Sequence, residues 1–425
     1  MSNINSQLPW SKSNKKKKEH PWHTMCSYLG SFPASLAGTF IEVLSDPKDI
    51  VLDPFCGRGT TLLECRLSGR IPLASDLNPI AVALTKAKNI SLNLVTAMDR
   101  ITELENSYDL PLYLPEALDQ PEDIKLIYNP FTLAQLCFLR RKLREPKSDV
   151  DTFLIGVILG LMHGKERKDG TSAYASISMP NTFSMSPNYV RRFVQNNNLQ
   201  RVERNVFTLM KDKIHRLYSN YSDFESIGIV TCLDIKTIST SNEFSPFKGK
   251  VKLVITSPPY SNVVNYALQN WIRMWFLFKD AREVADILDD NLTFGASLEF
   301  LEQAVKEIQL MLDDDGVAVI IIGDIARSKN NIVSPARDLI RRVSEKGIFG
   351  YIGFMSDYLN TDGKTTRIWN DTKGCATNVD RIILLSNKPP VFRTNNLCSA
   401  FDPVNLSRNA IQFARLGGAD ENLDL

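Results

Sequence analysis

Residues 251–266, VKLVITSPPYSNVVNY, run from an apolar stretch into two prolines and a tyrosine. Neither proline can donate an N–H to a β-ladder, so Ser257, Pro258, Pro259 and Tyr260 read as a stiff, extended corner at the mouth of a buried strand. The carboxyl ends of strands in an α/β sheet are where ligands bind, and a rigid corner there is a platform for one. A second cluster points to what the ligand is. Asp53, Pro54, Phe55, Cys56, Gly57, Arg58, Gly59 and Thr60 follow an apolar run and precede an apolar, helix-spaced one. Glycines in a strand-to-helix turn allow positive φ and let a ligand approach the backbone. Asp76 stands at the end of the next apolar run, where an acid can accept both hydroxyls of a ribose.

The turn reads GRGTT and not G-x-G-x-x-G, and no GK[ST] is present, so neither a dinucleotide site nor a P-loop is indicated. A nucleoside cofactor without phosphates fits better, and S-adenosyl-L-methionine has that chemistry.

These residues need a sheet to hold them. IVLDPF and IPLASD read as short buried strands, each followed by a helix: LLECRLSG, with Thr60 and Thr61 as caps and Gly69 as its end, and NPIAVALTKAKN, with proline in its first turn. Strand–turn–helix–strand–helix is the opening of a doubly wound sheet. The pattern then stops for about 130 residues that read mostly helical, with one long polar loop from Gly164 to Phe193. It resumes at GIVTCLDI (228–235) and KLVITSPPY. A helix is expected over about 263–279, others near 299–312 and 334–346, a turn into a buried strand at DDDGVAVIIIGD (313–324), and further strands at GYIGFM and DRIILLSN. The expected organisation is a basic disordered arm (1–19), the first half of a catalytic domain (20–95), a helical insertion (96–225), the second half (226–390), and a polar tail with a short amphipathic helix (391–425).

The 425-residue composition is that of a globular chain, with net charge +2, so overall charge does not argue for nucleic acid. Seven cysteines without CxxC spacing and four histidines argue against a metal site or a disulfide framework. No apolar run is long enough for a membrane span, and the lysine-rich start has no secretory apolar region; a cytoplasmic protein is expected.

DPFCGRGTT, followed by SDLNPIA and later by TSPPY, resembles the bacterial and phage DNA amino-methyltransferases of restriction-modification systems. The resemblance implies a Rossmann-like, S-adenosylmethionine-dependent methyltransferase sheet split by the insertion (96–225), which it makes the target-recognition region. It places the cofactor at Asp53, Pro54, Phe55, Cys56, Gly57, Gly59, Thr60, Asp76, Leu77 and Asn78, at Asp234 near the adenine, and at Phe32 and Pro33 beside the methionine. It makes Ser257, Pro258, Pro259 and Tyr260 catalytic: the serine side chain and the Pro258 carbonyl accept from an exocyclic amine, and the tyrosine stacks on an extruded base. Serine at the first position is associated mainly with cytosine N4, with adenine N6 as the alternative. A C5-cytosine mechanism is disfavoured because it needs a cysteine nucleophile, usually after proline, and no Pro-Cys dipeptide occurs. An RNA methyltransferase and a catalytically silent DNA-binding module are more distant alternatives.

The implied partner is double-stranded DNA, with the chain a monomer or homodimer; a cognate restriction endonuclease, a phage gene and an orphan modifier are all compatible with the sequence. Basic and aromatic residues of the insertion are candidate DNA contacts: Lys165, Arg167, Lys168, Tyr189, Arg191 and Arg192, along with Asn265 and, in a later loop, Arg367 and Lys373. Arg140, Arg141, Lys142, Arg144, His163 and Arg381 share the pattern; for residues 140–147 a solvated helix face is the simpler reading.

Overall fold

The computed structural model describes Trp10 and residues 19–181, 184–219, 221, 223–224, 226–259, 264–328, 331–358, 368–369, 372–373, 376–388, 390–392 and 412–415. Helix Ala34–Leu44 (α1) precedes strand Ile50–Asp53 (β1). Gly57 and Gly59 then turn the chain at φ +50° and +74° into helix Thr60–Leu67 (α2). A Cβ at such angles costs about 1–2 kcal/mol, so both positions suit glycine. Gly59 itself is the N-cap; Thr60 and Thr61 lie inside the first turn and do not cap it, contrary to expectation. Strand Ile71–Ser75 (β2) leads to helix Pro79–Lys88 (α3), capped by Asn78, whose Oδ1 accepts from the Ile80 N–H at 3.0 Å.

Seven described helices follow before the sheet resumes: Leu94–Asn106 (α4), Leu110–Leu118 (α5), Glu122–Ile127 (α6), Pro130–Lys142 (α7), Asp149–Leu159 (α8), Pro187–Asn196 (α9) and Val206–Leu217 (α10). Asn93, Asn129, Ser148, Ser186 and Asn205 cap five of them by accepting a backbone N–H, which satisfies donors the helix cannot. Their apolar faces share one core with α3, where Leu84 and Ala87 meet Phe153, Leu154 and Val157.

Strands Ile229–Thr231 (β3) and Val251–Thr256 (β4) resume the sheet. Helices Trp271–Phe276 (α11), Ala281–Ile287 (α12) and Phe294–Met311 (α13) lead to strand Leu312–Ser328 (β5). Then come Asn331–Val333 (β6), helix Pro335–Glu345 (α14), Tyr351–Tyr358 (β7), the small pair Ile368–Trp369 (β8) and Thr372–Lys373 (β9), Ala376–Ser386 (β10) and Gln412–Arg415 (β11).

Three expectations change. The strand expected over 228–235 spans three residues. The helix expected over 263–279 shrinks to α11 behind a 3-10 turn at Leu268–Asn270, because Asn265 Oδ1 takes the Leu268 N–H at 2.8 Å and Phe278 adopts φ +55°. The described segment of the C-terminal region is a strand and not a helix: β11 pairs antiparallel with β7.

The sheet order is β11-β7-β10-β5-β4-β1-β2-β3. Strands β3, β2, β1, β4 and β5 are parallel, and β10 runs against both β5 and β7. This is the expected Rossmann-like architecture. Alternate residues face opposite layers: Val51, Leu253 and Ile255 pack under α1, while Leu52 and Val254 pack against α13 and α14. Chain direction across the sheet reverses between β1 and β4, the place where open α/β sheets bind ligands. Trp10, within the 1–19 arm, is buried against Phe40 and donates Nε1 to Asp357 Oδ2 at 2.8 Å. Among the described residues no helix is long and apolar enough to cross a membrane.

Candidate active site

The carboxyl ends of β1 and β4 are joined side chain to side chain. Thr256 Oγ1, the last residue of β4, donates to Asp53 Oδ1, the last of β1, at 2.7 Å. Asp53 also accepts from the Phe55 N–H at 3.2 Å. Burial pushes its carboxyl up to about 6, against the opposing pull of these donors. Asp76, just past β2, accepts the Gly57 N–H on one oxygen and the Asn78 N–H on the other, both at 2.9 Å. Burial raises it too, to about 6, with those N–H groups working the other way. The glycine turn and the acid that follows β2 are thus one hydrogen-bonded unit. Thr85 Oγ1 donates to Gly57 O at 3.1 Å, and a Cβ at Gly59 would stand 2.9 Å from that oxygen of Thr85.

A cleft enclosing about 790 Å³, its open solvent-filled mouth included, lies over this unit. Of the residues expected to hold the cofactor, Phe32, Asp53, Pro54, Phe55, Cys56, Gly57, Thr60, Asp76, Leu77 and Asn78 line it. Pro33 caps α1, and Gly59 sets the turn from beneath; neither lines the cavity. Asp234 also stays out of the lining. It accepts the Lys236 N–H at 2.9 Å and pairs with Lys236 Nζ at 3.1 Å, and its neighbours Leu233 and Ile235 face the cavity instead.

Ser257 and Pro259 form the opposite edge, while Pro258 is buried. Ser257 Oγ donates to Ile321 O of β5 at 2.9 Å. A hydroxyl whose proton is committed in this way meets any amine as an acceptor. Tyr260 lies outside the described residues.

Tyr266, in the stretch after the proline corner, was expected near the pocket; several other lining residues were not anticipated. Tyr28 and Tyr266 stack at 6.0 Å and 20° to form a wall. Asn78 Nδ2 donates to the Tyr28 hydroxyl at 3.0 Å, and the Tyr266 N–H to Asp290 Oδ2 at 2.7 Å. Burial and then the Asp76 charge hold the Tyr28 phenol well above its usual range. Gly30, at φ +72°, leaves the room that a Cβ would take from the Tyr266 hydroxyl. Tyr28 and Gly30 stand just before Phe32 and Pro33 in the sequence; Asp289 and Asp290 had no motif to signal them.

The candidate DNA contacts divide. Lys165, Arg167 and Lys168 are exposed on the loop after α8, and Arg191 and Arg192 on α9. Arg191 pairs with Asp123 and donates to Asn188 Oδ1 at 2.8 Å, and Tyr189 stacks on Phe193 at 6.0 Å. Asn265 uses its side chain to cap the 3-10 turn. Arg367 lies outside the described residues, and of Lys373 only the strand position in β9 is described.

Other basic residues are committed internally. Arg140 lies 3.7 Å over the Phe278 ring and donates to Trp275 O, and Arg144 sits over the same ring at 4.7 Å. Arg141 pairs with Glu116 at 2.7 Å, and Arg381 with buried Asp324 at 2.5 Å. His163 is buried against Ser184 Oγ, with burial holding it neutral.

The loop that enters α9 is tied to the segment following the proline corner. The Ser184 N–H donates to Gln269 O, and Trp271 Nε1 to Met185 O, each at 2.8 Å.

Residues 3–86 match the family model described as DNA methylase. The type II methyltransferase M.MvaI of Kocuria varians is 23% identical over 270 residues, which cover 61% of this chain and 56% of that protein. The type II methyltransferase M.MjaII of Methanocaldococcus jannaschii is 32% identical over 76 residues, 18% of this chain and 14% of that protein. The chain thus spans about half the length of the first relative. These matches bear out the likeness to the N4/N6 DNA amino-methyltransferases that the motifs carry. Among solved structures, the rRNA methyltransferase aviRa of Streptomyces viridochromogenes aligns at TM-score 0.32 and 10% identity, covering 92% of this chain and 99% of its own. A TehB-like SAM-dependent methyltransferase of Corynebacterium glutamicum aligns at TM-score 0.29 and 10% identity, covering 83% and 87%. The fold assignment rests on the sheet order and not on these alignments.

Proposed function

We propose that this chain is a DNA amino-methyltransferase that binds S-adenosyl-L-methionine in the cavity above β1 and β4 and methylates N4 of a cytosine in double-stranded DNA. The observation that carries the reading is the serine at the cavity edge, its proton given to Ile321 O, across from the Asp53–Gly57–Asp76 unit. The donor and acceptor set fits a nucleoside cofactor: acids at the ends of adjacent strands, backbone close to the cavity at Gly57, and a tyrosine pair as a wall. Asp76 would hold the ribose, and the apolar surfaces of Leu77, Leu233 and Ile235 would pack on the base of the cofactor.

Bound there, the cofactor supplies an electrophilic methyl group on a sulfonium. The chain's own residues must supply the rest. An exocyclic amine is a poor nucleophile because its lone pair is delocalised into the ring. Ser257 Oγ and the Pro258 carbonyl accept its two protons and localise that pair, and the prolines hold both acceptors without reorganisation. The amine is unreachable inside a duplex, so the base must be extruded, and Tyr260 is assigned its stacking face. Exposed Lys165, Arg167, Lys168, Arg191 and Arg192 are assigned to the DNA backbone and groove. A cognate restriction endonuclease is the partner such an activity would answer, and the chain would act as a monomer or homodimer.

Nucleoside mass spectrometry tests this. Purified chain, unmethylated genomic DNA and S-adenosylmethionine should give N4-methylcytosine. N6-methyladenine would keep the cofactor and mechanism but change the base. Absence of both, with cofactor bound, would refute the DNA reading and favour RNA or a silent binding module.

A further inference from the structure

The charges around the cavity are uneven. Four carboxylates line it, Asp53, Asp76, Asp289 and Asp290, whereas Arg58 is the one cation among its described lining residues. Arg58 stands between the two glycines of the turn and is half-buried. Its side-chain hydrogen bonds are long: Nε to Thr60 Oγ1 and Nη1 to His23 O, each at 3.4 Å. Among the described residues no carboxylate forms an ion pair with it, although a guanidinium offers five donors in a fork shaped for one. Lys88 is buried and donates Nζ to Arg58 O at 2.6 Å, and burial followed by the Arg58 charge lowers it to about 7. Glu19 is the one carboxylate whose charge acts on Arg58, and it does so without an ion-pair contact; a half-buried guanidinium lining a cavity with no carboxylate bound to its fork is suited to an anion.

We propose that Arg58 is the anion subsite of the cavity and takes the α-carboxylate of the cofactor's amino-acid end. This rests on the cofactor reading above and deepens it, because it assigns a residue of this chain to the cofactor's one anionic group. S-adenosylmethionine carries one anionic group, the carboxylate, and two positive ones, the ammonium and the sulfonium, besides its ribose hydroxyls. The acids suit the positive groups and the hydroxyls; the single cation suits the carboxylate. Tyr28 and Tyr266 wall the same cavity, which favours a small-molecule carboxylate over a DNA phosphate as the anion.

The test compares two ligands that differ only in that group. Dissociation constants for S-adenosylmethionine and its decarboxylated analogue are measured by calorimetry on the full chain, on Arg58→Met and on Arg58→Lys. The wild type should prefer the carboxylate-bearing ligand. Arg58→Met should weaken it by about 10- to 100-fold, the usual worth of a charge-assisted pair, and change the decarboxylated ligand less than about threefold. Arg58→Lys should keep part of the preference. Equal losses for both ligands would make Arg58 a structural support and overturn the proposal. So would unchanged binding in Arg58→Met, or a rise confined to the DNA dissociation constant, which would assign the guanidinium to phosphate. If Arg58→Met does not fold, the wild-type and Arg58→Lys ratios still decide: a wild type indifferent to the carboxylate overturns the subsite. A wild type that binds neither ligand removes the cofactor reading itself.

Discussion

Asp53 stores a pH dependence that one substitution exposes. Its side chain is 2% exposed, and burial moves its carboxyl from 3.8 in the free residue to about 6. The folded chain therefore binds a proton more readily than the unfolded chain between those values, and stability falls as pH rises through that window. A tenfold change in proton affinity is worth about 1.4 kcal/mol, so the ionised carboxylate costs the fold about 3 kcal/mol once pH is well above 6. Asp53→Asn removes the titration while keeping one carbonyl oxygen for the bond from Thr256 Oγ1, now 2.7 Å. Whatever the amide loses in hydrogen bonding is the same at every pH. The informative quantity is thus the stability of Asp53→Asn minus that of wild type. It should increase by about 2 kcal/mol between about pH 4.5 and about pH 7.5. Urea unfolding of both proteins in one buffer series measures it, with matched m-values as the control. A difference that stays flat across the series would show that Asp53 titrates at its ordinary value and that the burial argument is wrong.

Other consequences can be measured alongside. Ser257→Ala should lower kcat by roughly 10- to 1000-fold and leave the cofactor dissociation constant within about threefold, because the acceptor acts on the amine; an equal loss in cofactor binding would place Ser257 elsewhere. Gly59→Ala should destabilise the fold by about 1–3 kcal/mol, from the left-handed backbone and the approach to Thr85, and adding Thr85→Ala should recover only the contact part, as read by thermal unfolding. Replacing Lys165 and Lys168 together by alanine should reduce the slope of log K against log salt for DNA binding by about two and leave cofactor binding alone. An unchanged slope would take that loop off the DNA.

The 49–89 unit was legible because each local signal agreed with the next. Apolar runs of strand length, glycines where φ turns positive, and Asn78-Pro79 at a helix start all point one way. The insertion was legible as helical from its periodicity. What stayed hidden depended on partners far along the chain. Tyr266 reads as a helix residue until Asp290 takes its N–H and Asn265 breaks the helix ahead of α11. Arg140, His163 and Arg381 look like surface charges in a row of letters; only the fold brings Phe278, Ser184 and Asp324 to them. Asp234 illustrates the limit of a motif: it marks the right strand end, but Lys236 holds its side chain while Leu233 and Ile235 face the cavity.

The two bonds that tie Ser184 and Met185 to Gln269 and Trp271 also bear on modularity. The insertion is not a cassette clipped in at its ends. Its long loop is stitched to the stretch that leaves the proline corner, so a graft exchanging residues 96–225 for those of a relative would cut stitches beside the candidate site. On the proposed function, such a graft should therefore lower turnover unless residues 264–271 travel with it.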